Sequence, residues 1–271
     1  MRSILLHVGD DSCMEARLQV ALDIAREFNA HVTCCQPVSF DIAVPGDLYG
    51  TMVAELVPVI QDNADKLRTR LSARLANEDV TWDWQQERGP SRQLLARAAT
   101  LADLVVLGAC DPASDGKGPS ALAGYLAVYG RSPLLVVPEA VRPFDLSGAA
   151  VVAWNGSLEA ANALRGAVPL LRRASSVTLA NVCEDVDAPG VSLPSFDAAE
   201  YLSRHGTTCE IVSIERGQHS VGQAVAEAAA ARDAAYLVFG AYGHSRAVET
   251  MFGGVTRELL SAPPLPVFAA H

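Results

Sequence analysis

The stretch AYLVFGAYG, residues 235–243, decides how this sequence is interpreted, because DLVVLGACD, residues 103–111, has the same pattern. In both stretches four apolar residues run into a glycine, which is typical of a buried strand that ends in a turn. A second identity supports the same register, since Glu-Arg-Gly stands at residues 87–89 and again at 215–217. The chain therefore contains an internal duplication.

Outward from these stretches, strand and helix patterns alternate in both copies. In the first copy, strands are predicted at 4–8, 31–35, 80–85, 104–107 and 134–137, and helices at 15–28, 51–76, 91–101 and 122–129. In the second copy, the corresponding strands are predicted at 151–154, 177–182, 209–214, 236–239 and 266–269, and the first helix at 159–173. This alternation predicts an α/β fold in which each copy is a doubly wound, five-stranded parallel sheet with helices on both faces.

The boundary between the copies is predicted in Pro138–Gly148, which contains two prolines and ends in Ser-Gly. We therefore expect one domain at 1–140 and a second at 148–271. An exposed apolar edge strand invites pairing. The fifth strands, Leu134–Val137 and Pro266–Ala269, are apolar, so such pairing is favoured for them.

Composition limits the classes of partner. The net charge of −10 and the isoelectric point near 5.0 disfavour nucleic acid and anionic membranes as partners. No apolar stretch reaches the length of a membrane helix, and the N-terminus lacks the pattern of a signal peptide. The six cysteines are scattered, without a CxxC pair or zinc-ligand spacing, so we expect a reduced, cytoplasmic protein without a metal site.

A glycine-rich loop follows the fourth strand of the second copy. Gly240 and Gly243 are separated by two residues, and nine further residues precede Gly253 and Gly254, with Thr256 two positions later. In an open parallel sheet, ligands bind beyond the carboxyl ends of the strands. Glycines there allow close approach of a phosphate chain, and a helix N-terminus offers free N–H groups to the anion. The alternative is that these glycines only form turns and helix caps.

This spacing, G-x2-G-x9-G, resembles the ATP-binding branch of the universal stress protein family, and the resemblance extends over both copies. It implies a strand order of 3-2-1-4-5 in each copy. Because family members often dimerise through their fifth strands, it also implies that Leu134–Val137 and Pro266–Ala269 pair antiparallel in an intramolecular pseudo-dimer, and a homodimer of whole chains remains open. It also implies that backbone groups of Val182 bind the adenine edge and that Asn155, where ATP-binding members commonly have Asp, lies near adenine and ribose. The ribose and phosphates would be surrounded by Gly240, Gly243, Gly253 and Gly254.

Three positions of the second copy qualify this implication. Gly254 replaces the Ser or Thr that the family usually has there, so a backbone N–H is kept and a hydroxyl contact is lost. Thr256 could add a hydroxyl nearby. For His244, inside the loop, phosphate contact and simple solvent exposure are equally compatible with the sequence.

The first copy departs from the pattern at three equivalent positions. Asp111 replaces the second glycine and would repel a phosphate, and Ser120 stands near the position of Gly253. Pro37 occupies the position of Val182 and has no N–H to offer a base. We therefore expect the first copy not to bind ATP in this way.

These observations favour a stress-response adenine-nucleotide-binding protein. ATP or AMP, with or without Mg²⁺, would bind to the second copy, and the first copy would be a structural partner. No catalytic residue is predicted, so hydrolysis would at most be slow. The alternative is a nucleotide-free interaction or scaffold protein related to stress.

Overall fold

The computed structural model describes residues 1–39, 51–110, 120–140, 143–183, 193–242, 254–261 and 263–271. Strands and helices alternate within each half of these residues. The first half contains β1 (Ser3–His7), α1 (Met14–Phe28), β2 (His31–Val38), α2 (Thr51–Leu75), β3 (Thr81–Arg88), α3 (Ser91–Ala99), β4 (Leu104–Gly108), α4 (Ala121–Tyr129) and β5 (Leu134–Val137).

The second half repeats this order. It contains β6 (Ala149–Trp154), α5 (Leu158–Leu171), β7 (Val177–Cys183), α6 (Ser195–Arg204), β8 (Glu210–Glu215), α7 (Val221–Ala230), β9 (Ala234–Gly240), α8 (Gly254–Ser261) and β10 (Val267–Ala270). Every strand predicted from the sequence is present. The largest differences are at β2 and β3, which each continue three residues beyond their predicted ends, because polar residues there still pair although they break the apolar pattern.

All ten strands form one sheet in the order β3-β2-β1-β4-β5-β10-β9-β6-β7-β8. Within each half the strands are parallel, and counted from the start of each half their order is 3-2-1-4-5. The predicted α/β class is thereby confirmed. Among the described residues, no helix is both long and apolar enough to cross a lipid bilayer.

The two halves meet where β5 and β10 pair antiparallel, with Val136 opposite Val267 and Leu135 opposite Phe268. Neighbouring residues of these strands pack into different layers. Leu135 and Phe268 belong to one buried cluster, while Val136 and Val267 belong to the cluster on the other side of the sheet. Because both faces are covered, the fifth strands can be apolar at every position.

The same alternation places the adjacent Cys34 and Cys35 in opposite layers. Both thiols are buried and unpaired. Burial raises the pKa of each to about 12, so both remain protonated at neutral pH. They are packing residues.

The β5–β10 pairing generates a prediction about stability. Phe268 is fully buried at this seam, whereas Phe196 on α6 is 71% exposed. Phe268→Ala should lower the free energy of unfolding by about 3–5 kcal/mol, because it removes a buried ring and leaves a cavity. Phe196→Ala, the matched control, should change it by less than about 0.5 kcal/mol. Equal effects in urea denaturation would contradict the role given to the seam.

Candidate functional site

The candidate site lies at the carboxyl edge of the second half, where β6 turns into α5. The side-chain oxygen of Asn155 accepts a hydrogen bond from the N–H of Ser157 at 3.1 Å. The hydroxyl of Ser157 in turn accepts from the N–H of Ala160 at 3.1 Å, which caps α5. These two bonds fix the turn and place Asn155 at the edge, where its side chain is exposed.

Gly240, the last residue of β9, lies directly against the first turn of α5. A Cβ atom at this position would lie 2.8 Å from Ala160 Cα and closer still to Ala160 N. No side chain fits there without displacing the helix. The structure therefore gives Gly240 a packing function that the phosphate interpretation did not require, and that function brings the start of α5 to the end of β9.

Two residues later, the chain is tied to the start of α8. The N–H of Tyr242 donates to Thr256 Oγ1 at 3.0 Å. Tyr242 has a φ of 62°, a left-handed conformation that is uncommon outside glycine. Thr256 is only 3% exposed. The hydroxyl that the sequence offered as a phosphate donor thus accepts a backbone hydrogen bond, and its own proton remains available to a further acceptor.

Gly254 is the first residue of α8 and is exposed. A Cβ atom there would meet nothing within 4 Å, so packing does not require a glycine at this position. Its importance would lie in its N–H, because the first N–H groups of a helix have no partner within the helix.

Val182 lies on β7 and is 9% exposed. It pairs with Ile214 of β8, while the pairing of β7 with β6 ends one residue earlier, at Asn181 and Trp154. The backbone of Val182 on the β6 side therefore lies beyond the last paired residue of β6. This is the geometry in which a strand edge can bind a flat, hydrogen-bonding ligand.

Five of the eight candidate residues are therefore placed at one edge of the sheet: Asn155, Val182, Gly240, Gly254 and Thr256. The other three, Gly243, His244 and Gly253, lie outside the described residues. Within the part of the chain that the structure describes, no group of His, Cys, Asp or Glu side chains could hold a metal ion.

The equivalent edge of the first half carries different residues. The strand registers make Pro37 the counterpart of Val182, because Leu6 pairs with Cys34 as Val152 pairs with Leu179. This is the alignment that the sequence predicted. Asp111 lies outside the described residues, and Ser120 caps α4 through the N–H of Ala123.

A fully buried arginine occupies the edge in the first half. Arg17 forms a bidentate ion pair with Asp11, at 2.6 and 2.8 Å, and donates to the carbonyl oxygens of His7 at 2.7 Å and Gly9 at 3.0 Å. Burial, and secondarily the charge of Arg17, lower the pKa of His7 to about 3, so this histidine is neutral at physiological pH. The loop after β1 is thereby closed around a guanidinium group.

Cys13 and Cys110 form a disulfide beside this ion pair. The expectation of a fully reduced protein is wrong for these two residues. Sequence reasoning missed the pair because the two cysteines are 97 residues apart and share no motif. The duplication offered a signal for this pair. Cys13 takes the helix-capping position that Ser157 holds in the second half. Cys110 stands two residues after Gly108, as Tyr242 stands two residues after Gly240.

The fold and edge geometry define a duplicated α/β protein with its candidate site beyond the carboxyl ends of parallel strands. Residues 149–271 match the model of the universal stress protein family. This match identifies a universal stress protein domain in the second half of the chain. The sequence has no significant match among curated proteins.

Two solved structures share the fold over the whole chain, and a third matches about half of it. A universal stress protein from Archaeoglobus fulgidus is 14% identical with a TM-score of 0.73, covering 98% of this chain and 97% of its own. A functionally unknown protein from Pseudomonas aeruginosa is 15% identical with a TM-score of 0.61, covering 100% and 92%. A family protein from Arabidopsis thaliana, solved with AMP bound, is only 10% identical with a TM-score of 0.31, covering 54% and 97%.

The packing at Gly240 can be tested against Gly254. Gly240→Ala should lower the free energy of unfolding by about 1–3 kcal/mol, because the added methyl group overlaps the backbone of α5. Gly254→Ala adds the same group in open space and should change stability by less than about 0.5 kcal/mol. Chemical denaturation of both variants measures the difference. A Gly240→Ala protein as stable as the Gly254→Ala protein would contradict this packing.

Proposed function

We propose that the second half of the chain binds an adenine nucleotide at its carboxyl edge. The observation that carries the proposal is the hydrogen bond from Tyr242 N–H to Thr256 Oγ1, which ties the N-terminal end of α8 to the end of β9. A helix N-terminus in this position favours a phosphate through its free N–H groups and its dipole. The match of residues 149–271 to the universal stress protein family and the G-x2-G-x9-G spacing support the same ligand.

The ligand would extend from β7 to α8. The backbone of Val182, beyond its last pairing with β6, would bind the base. Asn155 is exposed at the adjoining turn, and its amide nitrogen could donate to a ribose hydroxyl, since its oxygen already accepts from Ser157. Gly243, Gly253 and Gly254 would surround the phosphates, and His244 is an additional candidate for phosphate contact.

The first half, residues 1–140, would be the structural partner of the second half, residues 148–271. Together the two would form an intramolecular pseudo-dimer. The edge of the first half is filled by the Arg17–Asp11 ion pair and the Cys13–Cys110 disulfide, and Pro37 offers no N–H. One nucleotide per chain is therefore proposed. Slow hydrolysis at most is proposed, because the sequence beside the glycine loop offers no evident catalytic base or Mg²⁺-binding carboxylate. The protein would act in the cytoplasm as a nucleotide-responsive stress protein.

A second function, a nucleotide-free scaffold, is favoured by one observation. Gly240 is required by its contact with α5 whether or not a ligand is present. A glycine loop kept for packing alone would give no response to nucleotides. Thermal shift with ATP, with AMP and without ligand separates the two functions, because only a ligand that binds the native state raises the melting temperature.

Exchange of equivalent residues between the halves tests where the nucleotide binds. Gly243→Asp places a carboxylate next to the proposed phosphates and should weaken ATP binding at least about tenfold. The mirror variant, Asp111→Gly, should leave the stoichiometry at one, because Pro37 and Arg17 remain. Isothermal titration of the full chain measures both quantities. Unchanged affinity in Gly243→Asp, or two nucleotides per wild-type chain, would disprove the assignment.

A further inference from the structure

The Cys13–Cys110 disulfide joins two loops at the carboxyl edge of the first half. Cys13 precedes α1 and is fully buried, while Cys110 lies two residues after the end of β4 and is partly exposed. Their Cα atoms are 6.0 Å apart. The bond therefore connects the start of a helix to the end of the strand against which that helix packs.

The surroundings hold both cysteines in this arrangement. A Cβ atom on Gly108 would lie 2.7 Å from Cys13 Cβ, so the glycine makes room for the cysteine. The N–H of Cys110 donates to Cys13 Sγ at 3.3 Å, and the hydroxyl oxygen of Ser12 lies 3.3 Å from Cys110 Sγ. Backbone, glycine and hydroxyl contacts thus converge on two sulfur atoms that come from distant parts of the sequence.

The two sulfur atoms are chemically unequal. Cys110 is the one that an external thiolate can reach, because Cys13 is buried. Cys13 stands at the N-terminal end of a 15-residue helix, where the helix dipole stabilises a thiolate. Asp11 accepts the N–H of Cys13, but its charge is paired with the guanidinium of Arg17. Attack at Cys110 with Cys13 as the leaving group is the favoured direction of cleavage.

We propose that Cys13 and Cys110 form a reversible redox site, which a dithiol protein of the thioredoxin class reduces and glutathione disulfide reoxidises. In reduction, one thiolate of the dithiol attacks Cys110 Sγ, the bond to Cys13 breaks, and Cys13 leaves as a thiolate that takes up a proton. The second thiol of the reductant then displaces Cys110. Two electrons and two protons pass to this chain, and the reductant becomes a disulfide.

Cys34, Cys35 and Cys209 do not compete for this chemistry. Burial holds Cys34 and Cys35 in the protonated, unreactive form. Cys209 is free and partly exposed, and burial raises its pKa as well. The redox response is therefore assigned to one bond, and it does not depend on nucleotide binding in the other half.

Thiol counting in the full chain tests the proposal. After unfolding without reductant, an alkylating reagent should modify two fewer cysteines than it modifies after native-state treatment with dithiothreitol. Reduction should lower the melting temperature by about 5–10 °C, because the bond closes a long loop of the unfolded chain. Treatment of the reduced protein with glutathione disulfide should restore both the thiol count and the melting temperature.

Matched variants assign the effect to this bond. Cys13→Ser places at the start of α1 the residue that caps α5, so it should fold, and it should melt at one temperature with and without reductant. Cys110→Ser should behave in the same way, and Cys209→Ser should keep the full response to reductant. Six modified cysteines without reductant, or a bond that native-state dithiothreitol leaves intact, would overturn the proposal.

Discussion

The antiparallel pairing of β5 with β10 is the interaction on which the rest of the structure depends. Each half alone would end in an apolar edge strand with unpaired backbone groups, which is a surface that associates. Pairing these edges within one chain gives a continuous ten-stranded sheet whose central strands are buried on both faces. The carboxyl edges of the two halves then belong to one body, with equivalent positions that the strand registers align residue by residue.

The two equivalent edges carry different side chains on the same framework. In both halves a glycine ends the fourth strand because the first helix begins directly against it, at Gly240 in one and Gly108 in the other. Around Gly240 the edge keeps exposed backbone and a helix N-terminus tied in place by Thr256. Around Gly108 the space is taken by Arg17 and Cys13. The two halves thus share one framework, and in the first half the side chains of Arg17 and Cys13 pack against the glycine that ends the fourth strand.

The burial of Arg17 is tolerated because each buried polar group of this cluster has a partner. A buried guanidinium group is destabilising unless its charge is paired and its donors are bonded. Arg17 meets both conditions through Asp11 and two backbone carbonyl groups. The loop after β1 is held by these contacts, as the shorter turn after β6 is held by Asn155 and Ser157. Different local chemistry thus secures the same connection.

The sequence by itself determined the duplication, the positions of the ten described strands and their α/β class, because apolar periodicity and turn residues act over short distances. The pairing of the fifth strands was expected from the resemblance to a family, with the apolar edge as support. The sequence also identified Pro37 as the equivalent of Val182, since that alignment follows from counting residues along the equivalent strands of the two halves. Only the tertiary structure decided that Gly240 is a packing residue, that Arg17 pairs with Asp11 in the interior and that Cys13 meets Cys110. These contacts depend on how closely helices approach strand ends, and on residues brought together across 97 positions of the chain, which no local pattern encodes.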